Sequence, residues 1–182
     1  MENLWAPWRA EYIDAFDAPK EEGCIFCNRF QSDKDRDNLI LLRGQSVFII
    51  MNRFPYNNGH LLVVPNRHEA DITGLSVEEH REIWDTVLLC RKALETAFHP
   101  HGYNIGMNLG RSAGAGIDTH CHAHIVPRWN GDTNFMSVFG QVKVISEELG
   151  RTYAKLKQVL EHVIPAKAGI HHVKVDSVSS TE

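Results

Sequence analysis

Three histidines at alternate positions in Thr119-His120-Cys121-His122-Ala123-His124-Ile125-Val126-Pro127 constrain this chain more than any other stretch. The run ends in apolar residues and is closed by proline, so it reads as a β-strand. Successive strand side chains point to opposite faces, which sets His120, His122 and His124 on one face. Neighbours stand roughly 6.5–7 Å apart along the backbone and the outer two roughly 13 Å. Two neighbours could grip one metal ion, since bonds from zinc to nitrogen are about 2.0–2.1 Å. All three could do so only if the strand bent. The spacing therefore favours a division of labour, with at least one imidazole left for chemistry. A lone histidine on a strand is ordinarily a satisfied polar side chain. Three on one face beside a glycine-rich loop would cost at least a few kcal/mol if buried without partners, which points to function.

The 182 residues suffice for one domain with a core, and 43% hydrophobic with 23% charged residues is a globular balance. A net charge of −4 with no basic stripe argues against a nucleic-acid polymer as partner. No apolar run approaches the roughly 20 residues needed to span a bilayer, so no membrane partner is expected. Met1-Glu2-Asn3-Leu4-Trp5-Ala6-Pro7-Trp8-Arg9 lacks the apolar core of a signal peptide, and the expected location is cytoplasmic. The four cysteines then read as thiols. Cys24 and Cys27 form a C-x-x-C pair. Cys90 lies in an apolar helical pattern, and Cys121 points away from the histidine face, so both are expected to be buried.

Periodicity outlines the architecture. Val47–Met51 and His60–Val64 read as strands, joined by a turn containing Pro55, Asn57, Asn58 and Gly59, which suggests an antiparallel hairpin. Ser76-Val77-Glu78-Glu79 matches a capping box. Ile83, Val87, Cys90, Leu94 and Phe98 then recur at helical spacing until Pro100 and Gly102 end the helix. Tyr103–Leu109 is a third strand, leading through Gly110–Gly116 into the histidine run. Leu149, Tyr153, Leu156, Leu160 and Val163 mark a second helix, closed by Pro165. Antiparallel strands with two helices make an α+β domain. The expected divisions are an arm over 1–22, a domain over 23–140, a helix over 141–165 packing on it, and a poorly ordered tail over 166–182.

The run His120-Cys121-His122-Ala123-His124-Ile125-Val126 resembles the signature of the histidine triad (HIT) superfamily. Cys24-Ile25-Phe26-Cys27, Asn52, Gly59-His60-Leu61-Leu62-Val63-Val64-Pro65 and Asn108 fit beside it. Leu4-Trp5-Ala6-Pro7-Trp8-Arg9, Pro55-Tyr56-Asn57-Asn58-Gly59-His60 and Pro127-Arg128-Trp129-Asn130-Gly131-Asp132-Thr133-Asn134-Phe135 are similar to a bacterial branch related to diadenosine tetraphosphate phosphorylases.

The resemblance implies a HIT-like fold with a mostly antiparallel sheet of about five strands and two main helices, paired as a homodimer or a tetramer. It implies attack on the α-phosphorus of an AMP-containing nucleotide, with His122 as nucleophile and a nucleotidyl-histidine intermediate released by phosphate or water. The chemistry is coherent, because a neutral imidazole is a competent nucleophile near pH 7 when its other nitrogen donates a fixing hydrogen bond. His124, one pleat along, is expected to bind the bridging or leaving oxygen and to donate a proton. By position, Asn52 resembles the residue that holds the ribose and Asn108 one that touches a phosphate. A turn or cap hydrogen bond is the ordinary alternative for each. Ile25, Phe26 and Ile50 would line the base pocket, although such residues are more often core. Trp129 and Arg128 could contact substrate or a partner subunit.

The loop Gly110–Gly116 could cradle a phosphate with its backbone amides. Ala115-Gly116 stands where much of the family carries a Gln-Ser or Gly-Ser pair, so amides, Ser112 or Thr119 must supply those contacts. Zinc-containing relatives, including the galactose-1-phosphate uridylyltransferases, imply a structural zinc held by Cys24, Cys27, His68 and His120, with His60 as support. No organic cofactor is expected. Two other readings fit the same residues: a metallohydrolase with triad histidines as ligands, and a non-catalytic nucleotide-binding or adaptor module.

Overall fold

The computed structural model describes residues 22–133 and 145–163. The expected arm, most of which precedes residue 22, and the tail lie outside the described residues. Five strands form one antiparallel sheet: β1 (Ile40–Arg43), β2 (Val47–Met51), β3 (Leu61–Pro65), β4 (Gly102–Met107) and β5 (Ala123–Arg128). Their spatial order is β1-β2-β3-β5-β4. Among the described residues three α-helices accompany them: α1 (Ile25–Gln31), α2 (Val77–Phe98) and α3 (Leu149–Val163). None is long and apolar enough to cross a membrane.

β2 and β3 are wholly apolar and wholly buried, because each is covered on both faces. α2 starts as its sequence dictates: Glu79 N–H donates to Ser76 Oγ, and the Glu79 carboxylate accepts from Ser76 N–H. Its stripe of Ile83, Val87, Cys90 and Leu94 is buried, and the helix stops at His99, which takes a left-handed conformation (φ 47°) before Pro100. α3 buries Tyr153, Leu156 and Leu160. It also closes one border of the sheet, where Tyr153 Oη and Lys157 Nζ donate to the carbonyls of Ile40 and Leu41 on β1.

The local structure differs from expectation in three places. α1 and β1 carry no strong local signal and are additions. β4 runs from Gly102 to Met107 and leaves Asn108 and Leu109 to the loop. The histidine strand begins only at Ala123. Upstream of it, Cys121 N–H donates to Glu69 O instead of to a strand, and Pro65 on the neighbouring β3 has no N–H to offer. His120 and His122 therefore lie on the approach to β5, free of the register that fixes His124.

Candidate active site

β5 places His124 directly across from Leu62 on β3, which lies across from Ile50 on β2. Directly paired residues share a face, so Ile50, Leu62 and His124 form one row. On the other side His124 faces Gly106 of β4, where a Cβ would meet nothing within 4 Å. The site is thus walled by apolar side chains on one flank and open on the other. Phe26 of α1 is buried and turns its ring toward the histidines, 5.0 Å from His122 and 5.5 Å from His120 between centroids.

Hydrogen-bond donors and acceptors of known identity fix the proton on each ring. His122 Nδ1 lies 2.8 Å from the carbonyl of His120, which can only accept. The His122 proton therefore sits on Nδ1 and the Nε2 lone pair is free to attack. Tyr56 N–H donates to His60 Nδ1 at 3.1 Å, and Asn52 Nδ2 lies 3.2 Å from the same nitrogen. His60 must then carry its proton on Nε2, which donates to His124 Nδ1 at 3.0 Å. That leaves the His124 proton on Nε2, a buried atom with no hydrogen-bond partner among the described residues. An unsatisfied buried donor beside a free lone pair, on rings 4.7 Å apart, is a pairing built for a substrate with an acceptor to offer. Burial holds the pKa of His122 below its usual value and lowers that of His124 to about 4, with the neighbouring His122 as the lesser cause. Both rings are neutral at pH 7.

The first triad histidine belongs to a different cluster. His120 Nε2 donates to Pro65 O at 3.0 Å, which turns its Nδ1 lone pair toward Cys24 Sγ at 3.3 Å and Cys27 Sγ at 3.7 Å. His68 Nδ1 lies 3.4 Å from Cys27 Sγ. The four ligand atoms of Cys24, Cys27, His68 and His120 all fall within 4.8 Å of one another. A tetrahedral ion with zinc–sulfur bonds of about 2.3 Å and zinc–nitrogen bonds of about 2.0–2.1 Å needs sulfur–nitrogen separations of about 3.5 Å. The donor set fits a zinc ion in both chemistry and spacing. Burial pushes the pKa of His120 down to about 4 and raises that of Cys27.

The remaining expected residues fall into three groups. Asn52 makes a turn contact, accepting from Phe54 N–H at 3.0 Å, and also reaches His60. Asn108 Nδ2 points at Gly114 O (3.5 Å) and ties the end of β4 to the glycine loop. In that loop Gly110 and Gly114 have φ near +80° and +87°, and Ala115 N–H donates to Gly110 O at 3.3 Å. Gly116 has open space around it and no side chain to offer. Ile50 and Phe26 belong to the hydrophobic core, and Ile25 packs against it. Trp129 and Arg128 sit at the far end of β5, where Asp132 accepts from Trp129 N–H and from the Arg128 guanidinium. Cys90 and Cys121 are buried. The contact of Asn52 with His60 and the ring of Tyr56, 5.9 Å from His124 and nearly parallel to it, had no signal beyond the motif around Gly59-His60.

Comparison with known proteins agrees with this geometry. The HIT domain model matches residues 33–131. The AP-4-A phosphorylase of Mycobacterium tuberculosis is 33% identical over 84% of this chain and 80% of its own length. An adenosine 5′-monophosphoramidase of Schizosaccharomyces pombe is 34% identical over 59% of this chain and 75% of its own. Among solved structures, a zinc-bound histidine triad family protein from Mycobacterium smegmatis superposes with a TM-score of 0.64 at 24% identity, covering 78% of this chain and 95% of that one. With the match spanning the sheet and the histidines alike, the chain belongs to the HIT domain family.

Proposed function

We propose that this protein is a nucleotidyl-transferring enzyme that cleaves a dinucleoside polyphosphate such as diadenosine tetraphosphate, or a nucleotide conjugate, at the α-phosphorus. The observation that carries the reading is the pairing of a free lone pair on His122 Nε2 with a proton on His124 Nε2. His122 Nε2 attacks phosphorus, the His120 carbonyl stabilises the growing positive charge through Nδ1–H, and the bond to the bridging oxygen breaks. His124 donates a hydrogen bond from Nε2–H to that oxygen and stabilises the negative charge that builds there, while the bond from His60 holds His124 in that tautomer. Phosphate or water then attacks the nucleotidyl-His122 bond and restores the free imidazole. The relative named AP-4-A phosphorylase supports the substrate class. Asn52, Asn108, the amides of Ala115 and Gly116, the wall of Ile25, Phe26 and Ile50, and Trp129 are the candidate nucleotide contacts.

Zinc in the Cys24, Cys27, His68 and His120 cluster would supply cross-linking and no reacting oxygen. A metallohydrolase is disfavoured, since His124 Nε2 carries a proton where a ligand needs a lone pair. A homodimer or a tetramer built from it is part of the reading: β4 is a border strand of the sheet and Ile105 on it is 41% exposed. Cysteines outside any disulfide, with Cys24 and Cys27 in the candidate zinc set and Cys90 and Cys121 buried, suit a reducing cytoplasm. The test is incubation with diadenosine tetraphosphate, with and without phosphate. ADP formed only with phosphate marks a phosphorylase, and AMP with ATP in its absence marks a hydrolase. His122→Ala should abolish both and the acid-labile nucleotidyl adduct. Turnover retained in His122→Ala would refute the reading.

A further inference from the structure

The loop between β2 and β3 holds an aromatic ring that neither the core nor the proton relay accounts for. Tyr56 is 49% exposed, yet its ring lies 5.9 Å from His124 at an interplanar angle of 9°, and 4.7 Å from His60. Its backbone is rigidly held. Tyr56 N–H donates to His60 Nδ1. The buried Asn57 next to it donates to Pro127 O and to Asp132 Oδ2 at 3.0 and 2.7 Å. Asn58 Oδ1 accepts from Thr152 Oγ1 of α3, and Gly59, at φ +74°, sits against Leu94 and Phe98 of α2. A large aromatic fixed on a rigid loop and half open to solvent loses little entropy when a flat partner stacks on it.

The rings form a row in which Phe26, His122, His124 and Tyr56 follow one another at centroid distances of 5.0, 4.7 and 5.9 Å. In an in-line displacement the attacking nitrogen and the departing oxygen lie on opposite sides of phosphorus. The oxygen that accepts a hydrogen bond from His124 Nε2–H therefore begins the departing chain, and the ring on that side of His122 is Tyr56, away from Phe26. We infer that Tyr56 is the stacking platform for the second base of a dinucleotide substrate, the base carried by the departing half. This rests on the nucleotidyl-transfer reading and adds to it a determinant of leaving-group choice.

The experiment compares diadenosine tetraphosphate with adenosine 5′-tetraphosphate. Attack at the α-phosphorus expels ATP from the first and triphosphate from the second, so the two differ in the departing adenosine and in the terminal charge it caps. The charge difference cancels when one ratio is compared across variants. Base–aromatic stacking predicts that Tyr56→Ala lowers the kcat/KM ratio of the first substrate to the second by about tenfold, chiefly through KM. Tyr56→Phe and Tyr56→Trp should keep the ratio. Each substitution retains the backbone N–H on His60, and a thermal melt of each variant reports folding separately. An equal loss on both substrates would mean that the ring only positions His124 and would overturn the inference. Turnover of adenosine 5′-tetraphosphate alone by the unaltered protein overturns this inference and leaves nucleotidyl transfer standing. Turnover of neither removes both.

Discussion

His60 controls which nitrogen of His124 holds the proton, and replacing it with leucine of similar bulk isolates that control. The ring is fully buried, accepts from Tyr56 N–H and donates to His124 Nδ1 at 3.0 Å. His60→Leu leaves the Tyr56 donor unmatched, a cost of about 1–3 kcal/mol in stability. It also removes the hydrogen bond, worth about 1 kcal/mol, that selects the Nε2–H form of His124. Proton donation to a leaving group contributes roughly 10²- to 10⁴-fold, and a mis-set donor forfeits part of it. We expect kcat/KM to fall about 10- to 100-fold on adenosine 5′-phosphoramidate, whose amine must be protonated. On the p-nitrophenyl ester of AMP, whose phenolate departs unprotonated, the loss should be several-fold at most. His124→Ala should show the same contrast, and the double variant should lose no more than the worse single one. Equal losses on both leaving groups, or fully additive losses in the double variant, would refute the proton relay.

Cys27→Ala should abolish stoichiometric zinc, measured by elemental analysis, and lower Tm by about 10 °C, because a structural zinc contributes directly to folding. Added Mg²⁺ or Mn²⁺ should not restore activity. Stability should fall between pH 6.5 and about 4: the unfolded His124 takes up a proton near 6.5, whereas burial holds the folded ring near 4. The unfolded state thus binds more protons in that window, at up to about 3 kcal/mol in total. Denaturant titrations at several pH values should show a flatter profile for His124→Asn. Gly59→Ala should cost about 1–3 kcal/mol, read as a lower denaturation midpoint, since φ is +74° and the new Cβ would meet Leu94 at 3.0 Å.

Much of this was legible in the chain where local rules and tertiary packing agree. The capping box at Ser76, the stripe from Ile83 to Leu94 and the apolar strands β2 and β3 all carry their structure in short-range pattern. α1 was silent because it is seven residues long and Cys24 at its N-cap makes no side-chain cap bond. β1 was silent because four residues follow a charged stretch whose Asp35 is held by Arg43, a pairing visible only once the chain is folded. The alternation of histidines announced a site, yet it placed all three on one face of a single strand. The bond from Cys121 N–H to Glu69 O takes that segment out of the ladder, and no local pattern encodes it. The zinc set followed from resemblance and the ligand atoms converge accordingly. Proton positions depend on backbone donors and acceptors that no residue type reveals.

His120 serves two masters: its ring faces the cysteines while its main-chain oxygen holds the His122 proton. No substitution at position 120 can delete a carbonyl. Damage to the cysteine–histidine cluster would therefore leave the His122 ring chemically intact and merely mis-aimed, a fault that geometry alone could repair.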